Sequence, residues 1–226
     1  MSIATIVCLV VSTVLAQADT TPPDASAPQE MVGAPYLLDV CAVSGEKIPQ
    51  DGGTVLVMSG TDEPEQAGRE IRFCCSRCKT AFEETPGKYV PKIDELIIAD
   101  QLPRYPASVP CLVMRDEMLP DPRGPEAAEC EMLVWNNRLI RLCCKRCVRM
   151  FRAEPAKYIA TLDTAVIQQA KKANAVRNCV VNGRPLTARA NWFVVGDRAA
   201  ATCCRGCQPK AMAAPRKTVA KLDSTT

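Results

Sequence analysis

Phe73-Cys74-Cys75-Ser76-Arg77-Cys78 returns twice along the chain, as Leu142-Cys143-Cys144-Lys145-Arg146-Cys147 and as Thr202-Cys203-Cys204-Arg205-Gly206-Cys207. Each triple-cysteine cluster is preceded at a distance by a lone opening cysteine, in the stretches Cys41-Ala42-Val43-Ser44-Gly45, Cys111-Leu112-Val113-Met114 and Cys179-Val180-Val181-Asn182-Gly183. Downstream the register is fixed. A proline follows the last cysteine by eight residues in every copy (Pro86, Pro155, Pro215), and an aspartate follows it by sixteen (Asp94, Asp163, Asp223). Self-similarity held at constant offsets is the signature of a repeated structural unit.

The same coarse structure is expected in each copy. A turn carries the opening cysteine, two short strands follow, and the cluster then starts a helix. In the second copy the strands are Cys130 to Trp135 and Arg138 to Leu142, joined by Asn136-Asn137. In the third they are Trp192 to Val195 and Arg198 to Thr202, joined by Gly196-Asp197, a two-residue hairpin signal. In the first they are Thr54 to Met58 and Ile71 to Phe73, separated by a polar loop. Pro86 and Pro155 each begin a further short helix. Phe82, Tyr89, Phe151 and Tyr158 are read as a small core. The expected fold class is therefore α+β: three small tandem modules, each a β-hairpin followed by short helices. The third is degenerate, with Ala211 in place of the helical Phe, Thr218 in place of the Tyr, Pro209 just after the cluster and a shorter middle segment.

The module boundaries are placed at 36–100, 106–172 and 175–226. Residues 1–18 read as a signal peptide, with an apolar run from Ile3 to Leu15 and the small-x-small pattern Ala16-Gln17-Ala18. That run is too short for a stable membrane span. Residues 19–35, rich in Pro, Ala and Ser, read as a flexible linker. The expected location is secreted or periplasmic.

Composition narrows the chemistry. The chain of 226 residues holds 14 cysteines and no histidine. The commonest imidazole ligand and general base are thus unavailable, and any metal site rests on thiolates. A net charge of +3 gives no argument for a nucleic-acid partner. Neither a glycine-rich phosphate loop nor a Gly-x-Ser-x-Gly elbow is present, so the chain is not read as an enzyme. A module this small with few large apolar side chains needs a staple, which a metal or disulfides would supply. Closing each hairpin brings the opening cysteine to the cluster, and three or four converging thiolates suit Zn2+ or Cu+.

The arrangement resembles the YHS/TRASH group of treble-clef-like heavy-metal-binding domains. The resemblance rests on the opening Cys-x-Val-x-Gly stretch, the Phe-Cys-x-x-x-Cys cluster, the following Phe and the Pro-x-Lys-Tyr ending. It implies Cys41, Cys74 and Cys78 as ligands in the first copy, Cys111, Cys143 and Cys147 in the second, and Cys179, Cys203 and Cys207 in the third. The related zinc knuckles carry another cysteine three residues after the first, where this chain has Ser44, Met114 and Asn182. Cys75, Cys144 and Cys204 are then candidates for the fourth ligand. Met114 offers a thioether, although packing is the commoner use of a methionine in an apolar stretch. Cys130, without a counterpart, is read as a free thiol. The leading function is metal binding in trafficking, sensing or resistance, with a protein partner in reserve. A disulfide-stabilised scaffold and a thiol–disulfide oxidoreductase using the Cys-x-x-Cys pairs are the alternatives.

Overall fold

A computed structural model describes residues 34–59 and 63–224. The expected leader and nearly all of the expected linker lie outside the described residues. Three antiparallel two-stranded sheets recur along the chain, each followed by a pair of helices. The first unit has β1 (Thr54–Val57) and β2 (Glu70–Phe73), then α1 (Ser76–Glu84) and α2 (Pro86–Gln101). The second has β3 (Glu131–Trp135), β4 (Arg138–Leu142), α3 (Lys145–Ala153) and α4 (Pro155–Lys172). The third has β5 (Asn191–Val195), β6 (Arg198–Thr202), α5 (Cys207–Met212) and α6 (Pro215–Asp223). The α+β class and the hairpin-plus-helices unit are as the sequence predicts.

The hairpin turns follow their residues. Asn136 and Asn137 both adopt positive φ, +47° and +62°, as a type I′ turn requires. Gly196 sits at φ +60°, and a Cβ there would lie 2.2 Å from Leu37 Cδ1, so a side chain at this turn would be strained and would force Leu37 to shift. Each second helix opens on its proline, which needs no hydrogen-bond acceptor in the first turn.

Two of those helices are longer than expected. The sequence reading gave short helices after Pro86 and Pro155, whereas α2 runs 16 residues and α4 runs 18. The extra turns have a use outside their own module. The far end of α2 packs on β3 and β4 of the second unit, and α4 packs on β5 and β6 of the third. Gln101, at the end of α2, donates to the Asn137 carbonyl and accepts from the Leu139 N–H, both at 2.8 Å. Lys171 of α4 lies over the Trp192 ring, 5.2 Å from its centroid. The third unit reaches back in turn. Arg216 of α6 donates to the carbonyls of Tyr36 and Leu38 at 2.9 and 2.8 Å and pairs with Asp39 at 2.8 Å.

The cores differ in weight. Phe73, Phe82 and Tyr89 form a chain of ring contacts in the first, as do Trp135, Phe151 and Tyr158 in the second. The third core is built from Val180, Phe193, Val195, Ala200, Ala211 and Val219, with Leu37 packed against it from outside. Its helical aromatics are missing, as the sequence indicates, and its first helix begins only at Cys207.

One recurring pair was invisible as a pair in the sequence. Arg69, Arg138 and Arg198 each stand five residues before the cluster, and each meets the aspartate sixteen residues after it. Arg69 contacts Asp94 at 2.6 Å, Arg138 pairs with Asp163, and Arg198 contacts Asp223 at 3.0 Å. The pair pins the second helix to the base of the second strand. In the first module Arg69 is fully buried and also donates to Asn137 of the second module at 2.6 Å. Asn137 passes the link on, donating to the carbonyls of Ala34 and Glu70 at 2.9 and 2.7 Å.

These environments predict unequal mutational costs. Asp94→Ala leaves a buried guanidinium without its counter-ion and is expected to cost about 3–5 kcal/mol. Asp223→Ala removes a partner that is half exposed and is expected to cost at most about 1 kcal/mol. Urea denaturation of the two variants side by side checks the contrast, and equal midpoints would refute it.

Candidate metal centres

Each opening cysteine sits at the start of a tight backbone loop. Cys41 N–H donates to the Glu46 carbonyl at 2.7 Å, Cys111 to that of Glu117 at 2.7 Å and Cys179 to that of Arg184 at 2.8 Å. The flanking residues pair as isolated antiparallel bridges: Val40 with Lys47, Pro110 with Met118, and Asn178 with Pro185. Gly45 and Gly183, at φ +73°, close the two shorter loops. The second loop is one residue longer and closes without glycine. Tethers to the hairpin complete the placement, Ala42 N–H to the Arg72 carbonyl and Val180 N–H to the Ala201 carbonyl, both at 3.1 Å.

The first cysteine of each cluster follows directly on the second strand, and the last lies in the first turn of the following helix or at its start. The result is the same three times. Cys41, Cys74 and Cys78 bring their sulfurs within 4.8 Å of one another, as do Cys111, Cys143 and Cys147, and Cys179, Cys203 and Cys207. Cys74 and Cys78 sulfurs are 3.7 Å apart, and those of Cys143 and Cys147 are 3.6 Å apart. A tetrahedral metal with sulfur ligands at about 2.3 Å has an edge of about 3.8 Å between them. The sulfur spacing therefore fits a thiolate-bound metal.

The fourth predicted cysteine stands to one side of each triad. Cys75 and Cys144 are the residues just before α1 and α3, in extended backbone (φ −155° and −161°), and neither is among the three sulfurs that lie within 4.8 Å of one another. Each stays beside two triad sulfurs: Cys75 beside Cys74 (3.8 Å) and Cys78, Cys144 beside Cys147 (3.7 Å) and Cys143, and Cys204 beside Cys207 (3.5 Å) and Cys203. Cys144 and Cys204 are exposed. Cys130 lies away from the triads, donating to the Ala127 carbonyl at 3.5 Å. All described cysteines are free thiols.

The residues in the vacant knuckle position differ in what they offer. Ser44 Oγ lies 3.5 Å from Cys74 Sγ, and Glu46 Oε2 lies 3.6 Å from the same sulfur. Asn182 Nδ2 donates to Cys203 Sγ at 3.4 Å. Met114 is 45% exposed, so the packing role expected for it is not the one it has. The basic residues near the clusters, Lys145, Arg146, Arg149, Arg205 and Lys210 among them, are exposed to solvent.

The thiols in a triad divide their protonation unequally. Burial pushes Cys41 up, but hydrogen bonds from Ser44 and from the backbone of Cys74 and Val43 outweigh it and bring the thiol down to about 7. Cys179 reaches about 7 in the same way, its burial overcome by the backbone of Asn182, Cys203 and Val181. Cys111 is likewise lowered against its burial by the backbone of Met114, Cys143 and Val113. The last cysteine moves the other way. Burial and then the neighbouring sulfurs push Cys78 up to about 12, while the Cys204 sulfur and then burial push Cys207 up to about 12. Cys147 rises to about 11, mainly by burial. In each triad the opening cysteine thus ionises more readily, and the last cysteine holds its proton more firmly.

A scan against protein-family models, a search of curated proteins and a search of solved structures each found no match to this chain. The case for metal thus stands on the donor geometry. The resemblance to YHS/TRASH domains stands on the motif residues alone.

The protonation pattern has a measurable consequence. At pH 8 the first triad holds one thiolate, so a divalent metal entering it displaces about two protons, from Cys74 and Cys78. Apparent zinc affinity should therefore rise with pH above 7 and weaken further as pH falls through about 7, where Cys41 is protonated too. Zinc titrations in buffers of different ionisation enthalpy count the protons; release of none would contradict the assignment.

Proposed function

We propose that the protein binds soft metal ions, zinc or copper, at three thiolate centres, and that it serves metal trafficking, sensing or resistance rather than catalysis. One observation carries this reading: three modules of different core, loop length and flanking residues each bring three sulfurs within 4.8 Å. A shared disulfide scaffold does not require that spacing, whereas a common cation does. The absence of histidine from the sequence supports binding over acid–base catalysis, because the commonest general base is not available to the thiols. Export to a secreted or periplasmic location is proposed on the apolar run and small-x-small pattern of residues 3–18. Among the described residues no helix is long and apolar enough to cross a membrane.

Metal content decides the proposal. The reduced chain, purified anaerobically and loaded with zinc, is expected to hold about one ion per module. Cys74→Ser and Cys143→Ser should each lower the count by about one, with no change in the helical signal of the remaining modules. A chain that retains no metal while its thiols pair into disulfides would overturn the reading.

A second reading has one specific observation in its favour. Cys144 is exposed and its thiol is lowered by hydrogen bonds from Cys147 and the helix start, with the buried Cys147 sulfur 3.7 Å away. An accessible low-pKa thiol beside a buried partner is the arrangement of a dithiol exchanger. Catalytic reduction of a small disulfide by the metal-free protein, abolished in Cys144→Ser, would establish that activity; stoichiometric reaction without turnover would dismiss it.

A further inference from the structure

The three centres are alike in their thiolates and unlike in everything around them, and the differences sort by chemical hardness. At the first, a hydroxyl and a carboxylate oxygen stand 3.5 and 3.6 Å from Cys74 Sγ. Hard oxygen donors and an added negative charge favour a divalent cation. At the third, a carboxamide donates to Cys203 Sγ and spends that lone pair. At the second, among the described residues, no side-chain oxygen or nitrogen lies within hydrogen-bonding distance of the Cys111, Cys143 or Cys147 sulfurs. Cys111 and Cys147 are also almost fully buried, at 0% and 1% exposure.

A second, independent feature marks the same module. Three of its methionines are exposed: Met114 at 45%, Met118 at 56% and Met150 at 41%. The repeat register shows what the other modules carry at these positions. Met114 corresponds to Ser44 and Asn182. Met118, paired with Pro110 across the loop, corresponds to Lys47 and Pro185. Met150, three residues after the last cysteine, corresponds to Ala81 and Lys210. Large apolar side chains at such exposure gain nothing by burial, so their concentration on one module asks for another reason. Thioether sulfur is a neutral, soft donor that binds Cu(I) and is a poor ligand for Zn(II).

We propose that the second centre is a site for a soft monovalent cation, Cu(I), with Met114 supplying the thioether that completes the three thiolates, while the first centre takes a divalent ion. The inference rests on the metal-binding reading above and adds a division of labour among its sites. Cu(I) enters by replacing thiol protons, which go to solvent, and no electron is transferred.

The test uses the full-length reduced chain under anaerobic conditions, saturated with zinc and then given one equivalent of Cu(I) from a chromogenic Cu(I) chelator. Cysteine alkylation mapped by peptide mass reports which sulfurs each metal protects. Cu(I) is expected to displace zinc from Cys111, Cys143 and Cys147 first, leaving zinc protection at Cys41, Cys74 and Cys78. Met114→Ser, which installs the first module's residue at an exposed position, should lower Cu(I) affinity about tenfold or more and leave zinc at the first and third centres unchanged. Ser44→Met should raise Cu(I) occupancy of the first centre. Cu(I) spread evenly over the three triads, or an unchanged affinity in Met114→Ser, would overturn the assignment while leaving metal binding intact. Failure of either metal to protect any triad would overturn both.

Discussion

Three thiol sulfurs within 4.8 Å cannot all ionise unless a cation joins them. That electrostatic constraint organises each module. The loop around the opening cysteine directs backbone N–H groups at one sulfur and makes it the resident thiolate. The hairpin and the first helix then hold the other two sulfurs close by, and the last of them keeps its proton more firmly than the opening cysteine does. The fold supplies the convergence, and a bound metal would supply the charge that lets all three sulfurs ionise. Such a module is poised to couple metal capture to proton release and to local rigidity.

The sequence exposed this arrangement unevenly. Asn136-Asn137 and Gly196-Asp197 announced their turns because only a few residues tolerate positive φ, and the strands beside them were placed to within a residue. The cysteine clusters were visible because cysteine has few other uses at fixed spacing, and the choice of three sulfurs in each came from the resemblance to YHS/TRASH domains. The partner of Asp94 was not visible, since Arg69 lies far from it in sequence and arginines are common. The length of α2 was hidden for a related reason. Its distal turns face a hairpin of the next module, and amphipathic spacing within one segment does not reveal a surface supplied by another. Met114 has apolar neighbours, Leu112 and Val113, that imply packing, but it occupies the loop position that is exposed in all three modules, as Ser44 and Asn182 are.

The third module shows what the scaffold can lose. Ala211 replaces the helical phenylalanine, and Thr218 replaces the tyrosine, donating from its hydroxyl to the Ala211 carbonyl at 2.9 Å. The remaining core is small, yet Cys179, Cys203 and Cys207 still converge. Support comes from neighbours instead. Helix α4 covers its hairpin, Leu37 fills its edge, and Arg104 reaches Asp197 at 3.0 Å from the segment between the first two modules. Stability that an isolated unit would have to find in its own core is here drawn from the seams.

The contact of Gly196 with Leu37 bears on how such an array can change over time. Within a module, a core aromatic can shrink to alanine and a ligand-position residue can become serine, methionine or asparagine without dismantling the triad. Position 196 has less latitude, because its φ of +60° disfavours most side chains and a Cβ there would require Leu37 to move. Variation is thus channelled toward the vicinity of the sulfurs and away from the joints. Three copies of one unit can diverge in what they capture while remaining locked in a single order.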